Sequence, residues 1–461
     1  MNSLVLFISL HCQIINVIKN TTMLERYNTT LGFYEPAIFH MHTIGKGKLD
    51  EMEHWEQQQK STFLHEYIHF LQDITTIQGL NNIFIRGEYI RYVKKMIEQQ
   101  QSKYIHVPIS PLSMGNNVDQ NWLARMYTMG TNISAEKAIA FKKIQIASLT
   151  DYNNGKVIPV KGVVVKCIDR KMHETDILLG TLQMMEGMAK LIQEEVYPTP
   201  VRHSPYNPYY IAKDVADMII PGLSVNPQTM IALFVFALQR SNPGCDFVDY
   251  LELKAKNGFN ANTLTPDVIY EDLHNTSMVL PVGICDYEES HEKFADAAKD
   301  VISEYLGGVW FWQNINKWFQ TIIKKGAILK LQNPFLFHKL AEGGDITNNM
   351  TFLNLIKEFG TPIVTNNAQN FDFIRPRSVY VSRRELINVY AMMQIHQVFL
   401  SNGTFNCPLR KYCQSEPCGI RKQKVDIRCL THPWERMRKW NRCYFNSWWY
   451  FKGFKDIRIV Y

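Results

Sequence analysis

The chain has 461 residues, of which 46% are hydrophobic, 12% aromatic and 20% charged. This composition excludes a disordered chain, a collagen-like chain and a small disulfide scaffold, and it indicates a well-cored globular protein. The formal net charge is +7, but residues 404–461 alone carry 13 Lys and Arg against four Asp and Glu, which leaves the preceding 403 residues slightly negative. The last eighth of the chain is therefore a basic segment of distinct composition.

The first predicted elements are a short β-rich stretch and two helices. Residues 32–42 are rich in aromatic and β-forming residues. Asp50 followed by Glu53 matches a capping box, and the stretch from there to about Thr76 contains no Gly or Pro, which predicts the first long helix. Residues 82–101 have the apolar periodicity of a second, amphipathic helix.

Later segments are also mainly helical in pattern. Residues 157–168 are rich in Val and Ile and predict a hairpin or two strands, and residues 175–195 predict a helix that ends before Pro198. The pattern over most of residues 210–400 predicts helices interrupted by Pro and Gly turns. We therefore expect an α+β fold that is mainly helical.

The N-terminal apolar stretch does not resemble a targeting segment. Residues 4–18 include His11 and Gln13, lack a preceding basic residue and are not followed by a cleavage site of small residues. No later window offers about 20 apolar residues without charge, as a spanning helix requires. We expect a soluble, cytoplasmic protein without a membrane segment, and Met23 is a plausible true start.

One motif carries catalytic chemistry. Residues 65–69 read HEYIH and lie inside the first predicted long helix. Helical spacing places His65 and His69 one turn apart on one face, where both imidazoles can bind one zinc ion. Glu66 then faces the zinc-bound water and can act as its general base. The alternative is a pair of core or surface histidines beside a solvated Glu, but buried polar groups need partners.

A third ligand decides the type of zinc site, and two glutamates are candidates. The long HExxHxxGxxH form fails because Gln72 and Thr75 stand at its Gly and third His positions. Glu88 lies on the second helix near Arg91, as a solvated ion pair would. Glu186 lies in a helix that is apolar on nearly every face, where an uncompensated carboxylate is costly. We favour Glu186 and keep Glu88 open.

These motifs together resemble the gluzincin metallopeptidases over residues 50–210. In that family a second helix bearing Glu-Gly-x-Ala or a relative supplies the third ligand, and Met-Glu-Gly-Met-Ala at residues 185–189 is similar. The resemblance implies a zincin-like fold, one catalytic zinc on His65, His69 and Glu186, and peptide-bond hydrolysis with Glu66 as base. Thermolysin-like relatives have an Asp four residues after the Glu ligand, where this chain has Lys190. The hydrogen bonds that orient the ligands must then come from elsewhere.

Two further sequence features bear on this centre. Gly187 and Ala189 would allow the Glu186 helix to approach the HEYIH helix closely. The Pro- and Tyr-rich residues 203–210 follow the Glu186 helix and could supply a Tyr or His donor for the oxyanion. A surface loop with packed aromatic residues is the more favoured interpretation of that segment.

The basic C-terminal segment contains a second candidate metal site. Cys407, Cys413, Cys418 and Cys429 follow one another with five, four and ten residues between them. Four thiolates can hold a structural zinc ion or, as the less favoured alternative, an iron-sulfur cluster. Their spacing lacks the paired CxxC pattern of established zinc modules, and buried free thiols are the simple alternative.

Basic and aromatic residues are interleaved around these cysteines. They could bind phosphates and stack on bases, or they could form a solvated face whose aromatic residues pack onto the main body. The residues concerned are Arg421, Lys422, Lys424, Arg428, Trp434, Arg436, Arg438, Lys439, Trp440, Arg442, Trp448 and Trp449.

The sequence therefore predicts three parts. Residues 1–210 would form a zincin-like catalytic domain, residues 211–403 a helical region that completes the core or cleft, and residues 404–461 a basic, Cys-rich metal-binding module. The favoured function is an intracellular zinc metallopeptidase of narrow specificity that acts on a protein or peptide. The alternative is a nucleic-acid-binding or regulatory protein that uses the basic tail and has a catalytically inactive zincin scaffold.

Overall fold

A computed structural model describes most of the chain beyond residue 31. The described residues are 32–35, 39–45, 47–99, 103–109, 117–132, 141–150, 157–168, 174–198, 204–280, 283–306, 312–366, 371–377, 379–400, 405–415, 425–438, 443–445 and 454–460.

Helices make up most of the described chain. They are α1 Gln57–Thr75, α2 Ile77–Gln99, α3 Asn117–Met129, α4 Thr181–Val196, α5 Tyr206–Tyr209, α6 Ile211–Ile219, α7 Pro227–Leu238, α8 Pro243–Lys256, α9 Pro266–His274, α10 Tyr287–Leu306, α11 Gln313–Gln332, α12 Leu336–Glu342, α13 Met350–Phe359, α14 Arg383–Leu400, α15 Arg410–Ser415 and α16 Arg428–Thr431. Short 3-10 helices lie at Leu49–His54, Leu223–Val225, Pro433–Arg438 and Phe454–Asp456.

The strands form small sheets. They are β1 Gly32–Glu35, β2 His40–Thr43, β3 Tyr104–His106, β4 Phe141–Thr150, β5 Val157–Ile168, β6 Glu174–Leu179, β7 Ser277–Leu280, β8 Gly283–Asp286, β9 Ile363–Asn366, β10 Phe371–Asp372 and β11 Arg458–Val460.

Four sheets are described, and the largest has the order β1-β2-β9-β10. In it β2 pairs with β1 antiparallel and with β9 parallel, and β9 pairs with β10 antiparallel. Strands β4, β5 and β6 form an antiparallel meander, β7 and β8 a hairpin, and β3 and β11 a parallel pair. The expected mainly helical α+β class is therefore confirmed.

Helix α1 forms the centre of the core. It is buried at Gln59 and over residues 61–75, and it contacts β1, β2, α2, α4 and α11. Aromatic side chains fix these contacts, with the Phe63 ring 5.4 Å from Trp55 and the Tyr67 ring 5.3 Å from Phe352. A helix surrounded on all sides by protein holds its side chains in fixed positions, which a metal or catalytic site requires.

The junction of α1 and α2 is set by Thr76. Its backbone is extended, and its hydroxyl donates to the Gln72 carbonyl at 2.7 Å and accepts from the Gly79 amide at 3.0 Å. A Cβ on Gly79 would lie 2.3 Å from the Gln72 carbonyl oxygen, so only glycine allows this close approach. The chain therefore turns sharply after α1 instead of extending it.

Helix α4 follows directly from strand β6. The Gln183 side chain accepts from the Gly180 amide at 2.9 Å and donates to the Thr131 carbonyl at 2.9 Å, which satisfies a donor at the helix start. The strand thus delivers α4 against α1, with Glu186 in its second turn.

Several predicted boundaries were wrong. The first helix does not begin at Asp50, because a 3-10 helix covers Leu49–His54 and the extended Trp55 and Glu56 precede α1. Trp55 turns inward, where its indole donates to the Lys48 carbonyl at 3.1 Å. The second helix begins at Ile77 rather than residue 82, since Thr76 caps it.

Strand predictions also needed correction. Residues 157–168 form the single strand β5, which pairs on both sides, and not a hairpin or two strands. Residues 175–179, which were included in a predicted helix, belong to the strand β6. Both segments join one meander, so pairing across the sheet outweighed local pattern.

The large sheet spans the predicted boundary at residues 210 and 211. Strand β9 lies beyond that boundary but pairs with β2, and helix α11 packs against α1. The division into three domains stays a prediction. None of the helices in the described ranges combines the length and apolar content that a bilayer crossing requires.

The described parts of the basic tail pack on the rest of the chain. Strand β11 pairs with β3, and the Tyr412 ring lies 5.1 Å from Phe371. Cys407, Cys429 and Trp434 are buried among apolar side chains. Of the tryptophans interleaved with the basic residues, Trp434 belongs to the described residues and is buried.

Candidate metal centre

Three side chains meet between α1 and α4. His65 Nε2 lies 3.2 Å from His69 Nε2, and Glu186 Oε2 lies 3.1 Å from the former and 3.3 Å from the latter. The histidines come from successive turns of α1, and the carboxylate comes from α4, 117 residues further along the chain than His69. Both histidines are buried, and Glu186 is partly buried.

The size of this triangle matches a zinc coordination shell. Nitrogen and oxygen ligands lie about 2.0–2.2 Å from zinc, so two ligands of a tetrahedral site are about 3.3 Å apart. The three edges of 3.1–3.3 Å agree with that separation. Three protein ligands leave the fourth tetrahedral position open, which is the arrangement of catalytic rather than structural zinc sites.

Gln72 orients one of the two imidazoles. Its side-chain oxygen lies 2.7 Å from His69 Nδ1, and its amide nitrogen donates to the Met185 carbonyl at 3.0 Å. The carbonyl acceptor fixes the direction of the amide, so the Gln72 oxygen accepts from His69 Nδ1–H. In the neutral imidazole the proton then lies on Nδ1, which leaves the lone pair of His69 Nε2 available to a metal ion. Since Met185 precedes Glu186 in the chain, this bridge also ties the two ligand-bearing helices together.

The second imidazole lacks a comparable partner. Across the described part of the chain, no acceptor lies within hydrogen-bond reach of His65 Nδ1, which is buried. On its other side the His65 ring lies 5.9 Å from the Tyr209 ring, at an angle of 65°.

Charges within the cluster are strongly coupled. Burial lowers the pKa of His65, which the hydrogen bond to Glu186 only partly opposes. Burial also disfavours protonation of His69, but the neighbouring Glu186 carboxylate outweighs it and raises the pKa of His69 to about 9. Although burial acts in the other direction, the two imidazoles hold the pKa of Glu186 well below its usual range. The cluster is therefore a site that stabilises one positive charge against a partly buried carboxylate.

Glu66 lies beside the triangle and is 5% exposed. Burial raises its pKa to about 8, and the Glu186 charge raises it while the His69 charge lowers it. Strand β1 packs closely against Glu66. A Cβ on Gly32 would lie 2.7 Å from Glu66 Oε1 and 2.9 Å from the His42 carbonyl oxygen. Glycine at this position lets the strand approach the carboxylate closely.

Two tyrosines complete the surroundings. The charge of Glu186, together with burial and Glu66, raises the pKa of Tyr209, so its phenol stays protonated near both carboxylates. The Tyr34 ring lies 6.4 Å from the His69 ring, and its hydroxyl donates to Asp73 Oδ2 at 2.8 Å. Tyr209 belongs to the segment for which a surface loop was the favoured interpretation, but it contacts the centre.

The structure separates the two candidate third ligands. Glu88 pairs with Arg91 at 2.6 Å, and Arg91 also reaches Glu304 at 3.0 Å. Glu88 is therefore part of a surface ion-pair group on α2 and α10. Glu186, and not Glu88, shares the triangle with the histidines.

Two other residues of α4 lie apart from the triangle. Gly187 does not face α1 as expected, since a Cβ there would lie 3.0 Å from Phe234 of α7. Lys190, which stands where thermolysin-like relatives have an Asp, pairs with Glu194 at 3.4 Å. The hydrogen bond that orients a ligand imidazole comes instead from Gln72 on α1.

The cysteines of the tail give a different result. Cys418 lies outside the described residues. Cys407, Cys413 and Cys429 are described but do not form a group of three ligand atoms close enough for one ion. The Cys407 amide donates to the Cys429 carbonyl at 2.8 Å, and Arg436 Nη1 lies 2.8 Å from Cys429 Sγ. The four-thiolate site stays a prediction, and so does the alternative of an iron-sulfur cluster.

Most of the basic and aromatic residues considered for nucleic-acid binding lie outside the described residues. Those outside the described residues are Arg421, Lys422, Lys424, Lys439, Trp440, Arg442, Trp448 and Trp449. Arg428 pairs with Asp426 at 2.6 Å, and Trp434 is buried with its ring 5.5 Å from His432. Nucleic-acid binding by the tail stays a prediction.

No family model, curated protein or solved structure matches the chain. Sequence reasoning missed Gln72 and Gly32 as parts of this centre. Gln72 could have been found, because a residue three positions after His69 lies on the same helical face. Gly32 could not, because its contact with Glu66 depends on how β1 packs against α1.

Proposed function

We propose that the chain is a zinc-dependent metallopeptidase with a zincin-like site of the gluzincin type. The observation that carries the proposal is the triangle of His65, His69 and Glu186 with edges of 3.1–3.3 Å. Its size and donor types fit tetrahedral zinc with one open position. Glu66 follows His65 on α1 and is buried, and we assign it the role of general base.

Each ligand has a defined role in this proposal. His65 and His69 would bind the ion through Nε2, and Glu186 would bind it through Oε2. Gln72 holds His69 in the required tautomer. Zinc in this position supplies a Lewis acid that polarises a substrate carbonyl and eases deprotonation of water.

Protein side chains transfer the proton and stabilise the oxyanion in this proposal. Glu66 takes a proton from the water that attacks the scissile carbonyl, and its carboxyl group then delivers that proton to the departing amine. The Tyr209 phenol, which stays protonated, donates a hydrogen bond to the oxyanion that develops on the carbonyl oxygen. In the overall reaction, water adds its hydroxyl to the acyl carbon and its proton to the amine nitrogen.

The decisive test is Glu66→Gln, which keeps the size of the side chain but removes the base. We expect the variant to bind zinc as the wild type does and to lose at least about 100-fold in cleavage of a peptide library or unfolded protein. Zinc content is measured by elemental analysis and cleavage by mass spectrometry. Glu88→Gln is the matched control, since Glu88 lies in a surface pair with Arg91.

Two results would contradict the proposal. Cleavage that Glu66→Gln does not reduce would come from a contaminant or a different site. Wild-type protein that binds no zinc when the ion is supplied would show that the triangle does not hold the metal.

A further inference from the structure

A lysine is buried where α10 and α11 pack near the end of α1. Lys330 is 1% exposed, and its Nζ donates to the Pro334 carbonyl at 2.7 Å and lies 4.8 Å from the centre of the Tyr270 ring. Across the described ranges no carboxylate lies within ion-pair distance of this amine. A charged ammonium group in such a place is costly, because nothing beside it compensates the charge.

Contacts with α1 define how α10 and α11 lie relative to each other. His291 Nε2 of α10 lies 3.1 Å from the Thr75 carbonyl oxygen. On α11, a Cβ on Gly326 would lie 2.4 Å from the carbonyl oxygen just before Thr75. Further along the pair, the Gln320 amide donates to the Ser303 hydroxyl. The two helices therefore run antiparallel, with His291 and Gly326 at the same level.

This arrangement brings Lys330 level with the first turn of α10. Lys330 follows Gly326 by one turn on α11, and Tyr287 precedes His291 by one turn on α10. In an antiparallel pair these two steps lead in the same direction. The Tyr287 ring lies 6.0 Å from the His291 ring, so both side chains belong to one face.

Three polar side chains on this face have no hydrogen-bond partner among the described residues. They are Tyr287 and Ser290 at their hydroxyls and His291 at Nδ1, with exposed fractions of 8%, 0% and 0%. His291 Nε2–H donates to the Thr75 carbonyl, so Nδ1 of the neutral ring is an acceptor. Two unused hydroxyl donors and one unused acceptor therefore lie beside the buried amine, and each is costly to leave unpaired.

The environment of Lys330 favours a nucleophilic amine. Burial lowers its pKa to about 7, so about half of the amine is uncharged at neutral pH. An uncharged amine carries the lone pair that attacks a carbonyl carbon. A reagent that reaches a nitrogen on a side chain with 1% exposure must be small and uncharged.

We propose that Lys330 is a site of carboxylation by carbon dioxide. The amine lone pair forms a bond to the carbon of CO2, and one carbon–oxygen π bond opens onto oxygen. The nitrogen then gives up a proton, which His291 Nδ1 accepts. The products are a lysine carbamate and an imidazolium, so the atoms balance and the net charge is unchanged.

The carbamate provides a partner for each of these polar groups. Its N–H keeps the Pro334 carbonyl as acceptor, and its two oxygens accept from the Tyr287 and Ser290 hydroxyls. The imidazolium donates to the Thr75 carbonyl and to the carbamate. The charge of Lys330 lowers the pKa of His291, and the carbamate replaces that cation with an anion, which favours the imidazolium. A hydrogen-bonded ion pair thus takes the place of an amine without a counter-ion.

Carbon-13 NMR of the full-length protein in carbon-13-labelled bicarbonate, which equilibrates with CO2, tests the proposal. We expect a carbamate resonance that saturates as the bicarbonate concentration rises. Lys330→Met keeps an apolar stem of similar length but removes the amine, so this resonance should be lost. Lys254→Met is the matched control, because Lys254 is 9% exposed but pairs with Asp272 at 2.6 Å, and it should leave the resonance unchanged.

The hydroxyl donors are tested separately. Tyr287→Phe and Ser290→Ala each remove one donor, and each should lower the apparent affinity for CO2 about tenfold, as loss of a hydrogen bond to a charged group does. Ser303→Ala is the control on the same helix, since its hydroxyl already donates to the Lys299 carbonyl at 2.8 Å. Thermal unfolding shows whether each variant is folded.

Several outcomes overturn the inference. A wild type without a carbamate resonance does so, and so does a resonance of equal intensity in a folded Lys330→Met variant. If that variant does not fold, a resonance unchanged in both Tyr287→Phe and Ser290→Ala assigns the carbamate to another amine. The proposal does not depend on Glu66-dependent cleavage, so failure of the peptidase proposal leaves it standing.

Discussion

The proposed metal centre and the Cys-rich tail both contain side chains of types that can bind a metal, but the fold holds them differently. His65, His69 and Glu186 are fixed by α1 and α4, two long helices with buried contacts. Cys407, Cys413 and Cys429 lie on short segments that pack against the main body. Among the described residues the thiols do not form a group of three ligand atoms close enough for one ion, whereas the side chains of the centre do.

The difference shows what regular structure contributes to a metal site. A helix sets the distance between residues four positions apart, so two imidazoles are brought together by local geometry alone. Short segments impose no such distance, and their donors depend on how each segment packs. Four predictions test or sharpen this contrast, beginning with the largest expected effect.

Removal of the long-range ligand should have the largest effect. Glu186→Ala is expected to weaken zinc binding by more than the roughly 100-fold that loss of a ligand's hydrogen-bond partner produces, because it removes a direct ligand. Competition with a chromogenic chelator measures the affinity. Glu88→Ala and Cys413→Ser serve as controls in the surface pair and in the tail, and neither should change the affinity of the centre. A drop in Cys413→Ser would mean that the two regions are coupled.

Loss of the group that orients His69 should have a smaller effect. Gln72→Leu removes the acceptor for His69 Nδ1 and the bridge to the Met185 carbonyl. We expect zinc affinity to fall about 10- to 100-fold while the three ligands remain. The same chelator competition measures this. An unchanged affinity would show that the packing of α1 alone orients the imidazole.

The contact of β1 with the base should affect turnover rather than metal binding. Gly32→Ala places a Cβ 2.6 Å from Thr62 Cγ2 and 2.7 Å from Glu66 Oε1, so the strand and the carboxylate can no longer keep their positions together. We expect kcat/KM to fall about tenfold or more, since displacement of a catalytic group by about 1 Å can lower the rate 100-fold. Zinc content should stay at the wild-type level. Joint loss of zinc and activity would instead indicate general disruption of the centre.

The last prediction concerns the stability of the scaffold around the centre and its dependence on pH, rather than metal binding or turnover. Burial lowers the pKa of His291 from its ordinary 6.5 to about 4, and its Nε2 lies 3.1 Å from the Thr75 carbonyl at the end of α1. Below pH 6.5 His291 is protonated in the unfolded chain, but in the folded chain it stays neutral down to about pH 4. The free energy of unfolding therefore falls over that window by about 3 kcal/mol.

A variant isolates this contribution from other titrating groups. His291→Gln can still donate to the Thr75 carbonyl but does not titrate. The unfolding free energy of the wild type minus that of the variant should therefore be constant above about pH 7.5. It should decrease as pH falls from 6.5 to 4. Urea unfolding at a series of pH values measures it. A difference that does not change with pH would place His291 in contact with water.

Local patterns predicted the helical elements better than the strands. The absence of Gly and Pro and the apolar periodicity were enough to predict α1 and most of α2 and α4. The start of α1 was misplaced because Trp55 turns inward, and the strand β6 was taken as helix because its pairing with β5 is not visible in the local pattern. Element ends depend on contacts with other segments, which a window of sequence does not contain.

The amino-acid sequence alone determined the pairing of His65 with His69, because these positions lie one turn apart on one helix and the helical repeat fixes their geometry. Only the tertiary structure decided that Glu186 joins them while Glu88 pairs with Arg91, and that Gln72, Gly32 and Tyr209 surround them. Those choices depend on how α4 and β1 pack against α1, and the burial that drives such packing is a property of the whole chain rather than of any segment.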